Sequence, residues 1–222
     1  MRANVRHKLR PMIEDLLCEG IIKHADYSGP FLSNGHGVPK PDKNISVAGK
    51  ADLYLLKQSG VSTNHARLTL DMRNLNKHVL GRPKINLPSH KDLVNKFKDH
   101  HVTCIDLCSQ YWAISTDYSC QHLSNFWYNH RVYAFTRLPM WYSNAAYIAQ
   151  TASELAYGQE TMEKFLEHKG WSVGDANWPF LKISDIIIVY LDDFCVTTPT
   201  TVENAEQIHL NALEFVFYAT HT

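Results

Sequence analysis

The amino-acid sequence predicts an α+β fold, and three observations lead to that prediction. Residues 183–189 and 194–198 are runs of β-branched and aromatic residues on either side of a short turn, which is typical of an antiparallel hairpin. Residues 67–72 alternate in polarity as a strand does, and residues 102–107 form the next predicted strand. Apolar residues recur at helical spacing near both ends of the chain. An antiparallel sheet with flanking helices is therefore expected.

Local signals define the elements in chain order. A helix is predicted over residues 4–19, where Gly20 provides the stop. Residues 42–64 are polar and punctuated by glycine and serine, so an exposed hairpin or loop is expected there. Ser89 is the predicted N-cap of a short helix that runs through Phe97. Further helices are predicted over 144–156 and 202–217, with an inserted loop or partial helix over 158–179.

Composition indicates a folded intracellular protein. With 222 residues, of which 45% are hydrophobic, the chain can bury a core in one large domain or two small lobes. Its longest apolar stretch, residues 186–191, is far shorter than the roughly 20 residues of a membrane-spanning helix, so no membrane association is expected. The N-terminus lacks the apolar segment of a signal peptide. Five cysteines at irregular positions suggest neither a disulfide framework nor a zinc motif, which favours a reducing setting.

Charge is distributed unevenly along the chain. The formal net charge is zero, but residues 1–101 hold 17 Lys and Arg against 9 Asp and Glu, whereas residues 102–222 hold 5 against 13. This division suggests one lobe that contacts phosphates and one that gathers carboxylates. Chance clustering on solvated faces explains the charges equally well, so the distribution alone does not decide between the two interpretations.

Three aspartates form the candidate catalytic site. Asp106 lies at the end of a predicted strand, and Asp192 and Asp193 are adjacent at the tip of the predicted hairpin. Adjacent like charges in a part-buried site cost free energy unless a cation lies between them, and Mg²⁺ prefers such carboxylate oxygens. If the two strands are neighbours, Asp106 and Asp192 share two metal ions about 3.5–4 Å apart. An isolated Asp-Asp pair, however, is more often part of an ordinary turn.

The residues around these aspartates resemble four motifs of reverse transcriptases. Residues 190–193, Tyr-Leu-Asp-Asp after an Ile/Val strand, are similar to the family's YxDD box. Asp106-Leu107 followed by Tyr111 resembles its first acid motif. Residues 138–150 are similar to its LPxGxxNAPxxxQ segment, and residues 67–77 resemble the fingers strand that runs into the D-x-R-x-L-N signature. The motifs occur in the family's order, and retroviral, long-terminal-repeat or tyrosine-recombinase (DIRS-like) retroelements look nearest.

The resemblance implies an RNA-directed DNA polymerase that transfers deoxynucleotides to a primer 3′-hydroxyl. It implies a right-hand fingers–palm fold, with a palm sheet of the split β-α-β type. The implied domains are fingers at 1–80, palm at 81–113, a return to the fingers at 114–145 and palm again at 146–222, with the thumb and RNase H regions absent. The implied partners are an RNA or DNA template–primer, deoxynucleoside triphosphates, and other polyprotein domains or a larger complex.

The resemblance also assigns roles to individual residues. Asp106, Asp192 and Asp193 match the catalytic, metal-binding carboxylates for two Mg²⁺ or Mn²⁺ ions. Nucleotide-binding roles are implied for Lys40, Arg67, Leu107, Gln110, Tyr111 and Met140. Among these, Arg67 matches a fingers arginine for the triphosphate, and Tyr111 matches the steric gate against a ribose 2′-hydroxyl. The surface residues Arg73, Lys77, Arg82 and Lys84 are candidates for contact with the nucleic-acid backbone.

Two departures from the family pattern leave a second function open. Trp141 stands where the family usually has glycine, and Ala146 where it has proline. An indole at this position either packs into the fingers or projects into the cleft. Weak or absent polymerase activity, with nucleic-acid binding retained, is therefore expected of the 222-residue chain by itself. The alternative function is a non-catalytic, host-adopted subunit with the same fold, which binds nucleic acid or acts as a scaffold.

Overall fold

A computed structural model describes residues 3–26, 29–39, 66–81, 83–107 and 109–221, and it confirms the α+β class. In chain order the elements are α1 (Ala3–Cys18), β1 (Ile22–His24), β2 (Ser33–Pro39), β3 (Ala66–Leu70), α2 (Arg73–Asn76), α3 (His90–Phe97), β4 (His100–Asp106), α4 (Gln110–Ala113), α5 (Tyr118–Gln121), β5 (Phe126–Tyr128), β6 (Arg131–Phe135), α6 (Ala145–Ala156), α7 (Gln159–Lys169), β7 (Ile187–Tyr190), β8 (Asp193–Pro199) and α8 (Ala205–His221), with 3₁₀ turns at His122–Ser124 and Ile183–Asp185. Within these ranges, no helix has the length and apolarity needed to cross a membrane.

The chain divides into two compact units. The first consists of Met1–Leu80 and Ser115–Ser143, and the second of Gly81–Ile114 and Asn144–Thr222. Each unit contains one of the two sheets. The chain therefore enters each unit twice.

The first unit is a five-stranded sheet packed against α1. The strand order is β1-β6-β5-β2-β3, in which β2 and β5 run parallel and the other neighbours run antiparallel. Helix α1 packs against β2 and β3 and buries Leu9, Ile13 and Leu16, which recur at helical spacing on one face. Phe126 and Phe135 are fully buried, with ring centroids 5.5 Å apart. The predicted first helix and the strand at 67–72 are thus confirmed as α1 and β3.

The second unit is a three-stranded antiparallel sheet in the order β4-β8-β7. Helix α8 packs against β8 and β4, and α7 packs against α8. The core between them is aromatic: Phe165 of α7 lies 5.7 Å from Trp178 and 5.5 Å from Phe215 of α8, measured between ring centroids. Phe194 and Val196 of β8 are fully buried in the same core. One face of the sheet is therefore anchored in an extensive apolar core.

Local signals placed most elements correctly, with one difference in the second unit. The short helix α3 begins after Ser89 as predicted, because Ser89 and Asp92 cap each other: each backbone N–H donates to the other's side chain, at 3.2 and 3.1 Å. Residues 158–179 contain a helix over part of their length, which is one of the two predicted possibilities: α7 occupies Gln159–Lys169 and buries its apolar residues. The strand predicted from residue 183 begins only at Ile187, because Ile183–Asp185 form a 3₁₀ turn. The loop predicted at 42–64 lies outside the described residues.

His209 of α8 is a titratable group held against the sheet of the second unit. It is 9% exposed, and its ring nitrogens lie 2.8 Å from Thr103 Oγ1 and 3.1 Å from Thr198 Oγ1. Burial lowers the pKa of His209, and neighbouring His101 lowers it further. A lowered folded-state pKa means that the neutral ring stabilises the fold above its unfolded pKa, and that this contribution is lost as pH falls through the folded pKa.

We therefore expect the thermal midpoint to decrease as the pH is lowered from about 7.5 to about 5.5, which is the range in which an ordinary histidine gains its proton. His209→Gln should reduce that dependence, because glutamine does not titrate. The exposed His90→Gln is the control, and differential scanning fluorimetry across this range is the measurement. Equal pH dependence in the parent and His209→Gln would contradict the assignment.

Candidate active site

The register of β4 and β8 brings two of the predicted acids together. Asp106 is the last residue of β4 and Asp193 is the first residue of β8, and the two are directly opposite each other. Side chains at opposite positions of an antiparallel pair point to the same face, with Cβ atoms about 4.5–5.5 Å apart. Both aspartates are exposed. Two carboxylates therefore face solvent side by side at one end of the sheet.

Asp192 lies in the turn that joins β7 to β8, next to this pair. It is half-buried, and its carbonyl oxygen accepts a hydrogen bond from the Leu107 backbone amide at 2.8 Å. This bond ties the hairpin tip to the chain directly after Asp106. The Leu107 amide, which the family pattern implicates in nucleotide binding, is thus engaged within the chain.

The metal-binding capacity of the three acids follows from this arrangement. Among the described residues, no group of three or more His, Cys, Asp or Glu side chains is placed to hold a metal ion. The opposed carboxylates of Asp106 and Asp193 nevertheless fit the usual protein contribution to a Mg²⁺ site, which is one or two carboxylates completed by substrate phosphates. Like charges directly opposite on neighbouring strands also repel, which a bound cation would relieve.

The hairpin turn itself is conformationally strained. Tyr190 pairs with Asp193, so only Leu191 and Asp192 connect the two strands. Leu191 has a φ of 56°, in the left-handed region that leucine rarely adopts. Such a conformation costs on the order of 1–3 kcal/mol and persists only where its surroundings hold it.

Two buried glutamines hold the Leu191 peptide groups. The Leu191 N–H donates to Gln150 Oε1 at 2.7 Å, and the Leu191 carbonyl accepts from Gln110 Nε2 at 3.0 Å. Gln150 also donates to the Val189 carbonyl at 3.1 Å, and Gln110 donates to the Ser153 hydroxyl. Gln110 and Gln150 are 6% and 4% exposed. The conformation of the residue before Asp192 is therefore fixed by side chains from α4 and α6.

Sequence reasoning missed this role of the two glutamines. The family resemblance includes Gln150 only as part of a motif and assigns Gln110 only a nucleotide-binding role. One signal was available for the turn: strands ending at Tyr190 and resuming at Asp193 leave two residues, and two-residue hairpins require a positive φ. That requirement predicts a strained residue in the turn, but it does not predict which side chains stabilise that residue.

Tyr111 lies in α4, which begins four residues after Asp106 and belongs to the same unit as the three acids. Its side chain is half-buried; burial raises the pKa of Tyr111, and the charge of Asp192 raises it further. The phenol is therefore close enough to Asp192 to sense its charge, and it keeps its proton at neutral pH. The structure thus gathers Asp106, Asp192, Asp193 and Tyr111 within the second unit.

Two other predicted nucleotide-binding residues, Arg67 and Met140, belong to the first unit. Arg67 lies in β3, opposite Val38 of β2. Met140 is 49% exposed. Lys40 lies outside the described residues.

The turn that contains Trp141 is also fixed in the first unit. The Trp141 carbonyl accepts from Asn76 Nδ2 at 2.9 Å, and the Ser143 amide donates to Asn76 Oδ1 at 2.9 Å. Asn76 belongs to the D-x-R-x-L-N segment, so one predicted motif supports another. Trp141 itself is half-buried.

Arg73, a candidate for backbone phosphate contact, forms a two-point ion pair in the structure. Its Nε and Nη2 donate to the Asp71 carboxylate at 2.7 and 2.6 Å, on the exposed surface of the first unit. These hydrogen bonds lower the pKa of Asp71 to about 2. The acid and the arginine of the D-x-R segment therefore have a structural role, since they bind each other.

Comparison with solved structures shows that the chain has a reverse-transcriptase-like fold. It is similar to the crystal structure of prototype foamy virus protease-reverse transcriptase, with a TM-score of 0.63 and 18% identity over 100% of this chain and 23% of that chain. It is also similar to the foamy viral protease-reverse transcriptase in complex with dsDNA, with a TM-score of 0.64 and 20% identity over 100% of this chain and 36% of that chain. The chain thus spans between 23% and 36% of the length of these proteins. No protein-family model and no curated protein sequence matches it.

We expect Gln110→Met to lower the free energy of unfolding by about 1–3 kcal/mol, because methionine is similar in size but cannot donate a hydrogen bond to the part-buried Leu191 carbonyl. Chemical denaturation is the measurement, and the matched control is Gln207→Met, which removes an exposed amide that donates to Asn211 Oδ1 one turn away. The control should change stability by less than about 0.5 kcal/mol. A loss no larger than that of the control would show that Gln110 does not hold the turn.

Proposed function

We propose that this chain is the fingers and palm of an RNA-directed DNA polymerase, which transfers deoxynucleotides to a primer 3′-hydroxyl. The observation that supports it most is the in-register pairing of Asp106 with Asp193, with Asp192 in the adjoining turn. A pair of like charges at an exposed strand end destabilises a sheet, and a structural role does not explain it. The reverse-transcriptase-like fold of the chain supports a catalytic role for these three aspartates.

The division of the chain supports the assignment of domains. In this proposal the first unit is the fingers and the second unit is the palm. The boundaries after Leu80, Ile114 and Ser143 lie within two residues of those that the family resemblance implies. The cluster of acids then belongs to the palm, and Arg67 and Met140 belong to the fingers.

The acids and Tyr111 receive separate roles. Asp106, Asp192 and Asp193 would hold two Mg²⁺ or Mn²⁺ ions. When bound, the ions would lower the pKa of the attacking hydroxyl and neutralise phosphate charge. The Leu107 amide positions the Asp192 backbone, and the two glutamines fix the residue before it. Tyr111 would exclude a ribose 2′-hydroxyl with its half-buried ring.

The proposed partner is a template–primer held mainly through phosphates. A foamy viral relative in fold is described in complex with dsDNA. The excess of basic residues in residues 1–101 suits contact with phosphates. Lys40 and Arg67 are proposed to contact the triphosphate of the incoming nucleotide, since a guanidinium presents several donors to phosphate oxygens.

We expect Asp106→Asn and Asp192→Asn each to lower single-nucleotide extension by about a thousandfold, equivalent to about 4 kcal/mol of barrier. The assay uses a DNA primer on an RNA template with Mg²⁺ or Mn²⁺, for the chain alone and with a fused thumb segment. Exposed Asp26→Asn is the matched control and should retain parental activity. As a second measurement, Mg²⁺ should raise the thermal midpoint of the parent and of Asp26→Asn more than that of the two variants. Full extension by Asp192→Asn would exclude this site.

We expect Tyr111→Ala to raise the rate of ribonucleotide incorporation relative to deoxynucleotide incorporation, because the ring no longer meets the 2′-hydroxyl. The measurement is the ratio of kcat/KM for matched ribo- and deoxynucleotides. Tyr118→Ala, which removes a ring that is 80% exposed, is the control. Equal discrimination in Tyr111→Ala and the parent would assign Tyr111 to packing instead.

A non-catalytic subunit that binds nucleic acid is the second candidate function. It is favoured by the finding that the described residues contain no group of three side chains placed to hold a metal ion. Trp141 in place of glycine points in the same direction. Template–primer binding without metal-dependent extension, even when a thumb segment is fused, would establish this function in place of the first.

A further inference from the structure

Two cysteines lie opposite each other on the strands that carry the acids. Cys104 of β4 pairs in register with Cys195 of β8, and their Sγ atoms are 2.9 Å apart. Cys104 is exposed and Cys195 is half-buried, so a reagent in solution can reach the pair. The proposed function makes no use of either thiol.

The backbone geometry of this pair suits a covalent bond. Directly opposite residues of an antiparallel pair have Cα atoms about 4.5–5.5 Å apart. Disulfides span Cα separations of about 4.4–6.8 Å. The strands therefore do not have to separate or shift register for the two sulfurs to bond.

We propose that Cys104 and Cys195 form a dithiol site, which a disulfide-class oxidant such as oxidised glutathione converts to an intrachain disulfide. In the first step the Cys104 sulfur attacks the oxidant, which forms a mixed disulfide and releases one glutathione thiol. In the second step the Cys195 sulfur attacks the Cys104 sulfur and releases the second glutathione thiol. The two cysteines are oxidised by two electrons, and the oxidant is reduced to two thiols that take up the two protons.

The other described cysteines lack this arrangement. Cys18 ends helix α1 and Cys120 lies in α5, so neither is on a strand opposite another cysteine. Both are exposed free thiols of the first unit. They react with the same oxidant only as single thiols, which makes them internal comparisons for the pair.

The site is coupled by position to the proposed active site. Cys104 and Cys195 lie two residues from Asp106 and Asp193, and residues two apart on a strand share a face. A disulfide there links β4 to β8 beside the opposed carboxylates. Catalytic groups generally have to be held within about 0.5 Å of their productive positions. A disulfide two residues away along each strand is therefore expected to shift the two carboxylates and to change the rate of the reaction they support.

The test uses a variant in which only the pair remains. Cys18→Ser, Cys108→Ser and Cys120→Ser are combined, and the reduced protein is checked for folding by circular dichroism before oxidised glutathione is added. We expect both thiols to be lost, the mass to fall by two hydrogen atoms, and a single cross-linked peptide pair to contain both cysteines. The thermal midpoint should rise by roughly 5–15 °C and return when reductant is added, because the bond closes a long loop.

Single variants provide the controls. Adding Cys104→Ser or Cys195→Ser to the same background leaves one thiol, which can form a mixed disulfide but cannot raise the thermal midpoint in this way. If the combined variant does not fold, the parent chain is oxidised and the bond is located by peptide mapping. A stable mixed disulfide at Cys104, or two thiols that remain free, would overturn the proposal.

Activity provides a second, separate readout, and this part rests on the proposed function. We expect the oxidised protein to extend primers several-fold more slowly than the reduced protein, with recovery on reduction. Equal activity in the two states would overturn the coupling to the acids. Absence of extension in the reduced protein would count against the polymerase, whereas the thiol count and the peptide map would still decide whether the dithiol site exists.

Discussion

Antiparallel pairing between β4 and β8 decides which side chains of the second unit can meet. The register runs from His100 opposite Pro199 to Asp106 opposite Asp193. It places both aspartates on one face, while Thr103 and Thr198 lie on the other face and contact His209 of α8. A slip of one residue would move every side chain of one strand to the opposite face and separate the acids. The acid pair, the cysteine pair and the buried histidine all depend on this single register.

The buried face of the same sheet accounts for the stability of that register. Opposed like charges destabilise a sheet, and the interaction between one cross-strand pair of side chains is generally on the order of 0.2–1 kcal/mol. Full burial of one Phe or Val side chain stabilises by roughly 1.5–3 kcal/mol, and Phe194 and Val196 of β8 are both fully buried beside Phe215. The apolar contacts of the strand therefore outweigh the repulsion at its end. A site that gathers charge is tolerated because the opposite face of the strand is anchored in the core.

The sequence predicted those features of the fold that depend on neighbours along the chain. The helix after Ser89 follows from a capping pair three residues apart, and the hairpin follows from two β-branched runs around a short turn. For the segment of α7 the sequence left a loop and a partial helix open because charged residues dominate it, although Met162, Phe165 and Leu166 have helical spacing and are buried. The hydrogen bond from Gln110 to Leu191 joins residues 81 positions apart, and no local pattern reports such a contact. The three acids were identified from motifs, but their pairing across the strands required the register.

The turn at Leu191 is the point where local preference and tertiary structure disagree most. Glycine would adopt its φ of 56° at little cost, yet the chain has leucine there, with an acid on each of the next two positions. The cost of this conformation is offset from outside the hairpin, because Gln150 accepts from the Leu191 N–H and Gln110 donates to the Leu191 carbonyl. The Leu107 amide then binds the carbonyl of Asp192, the following residue. Three backbone groups at the tip are thus held by α4, α6 and the residue that follows β4, so the carboxylate of Asp192 is positioned by contacts from outside the turn and not by the turn alone.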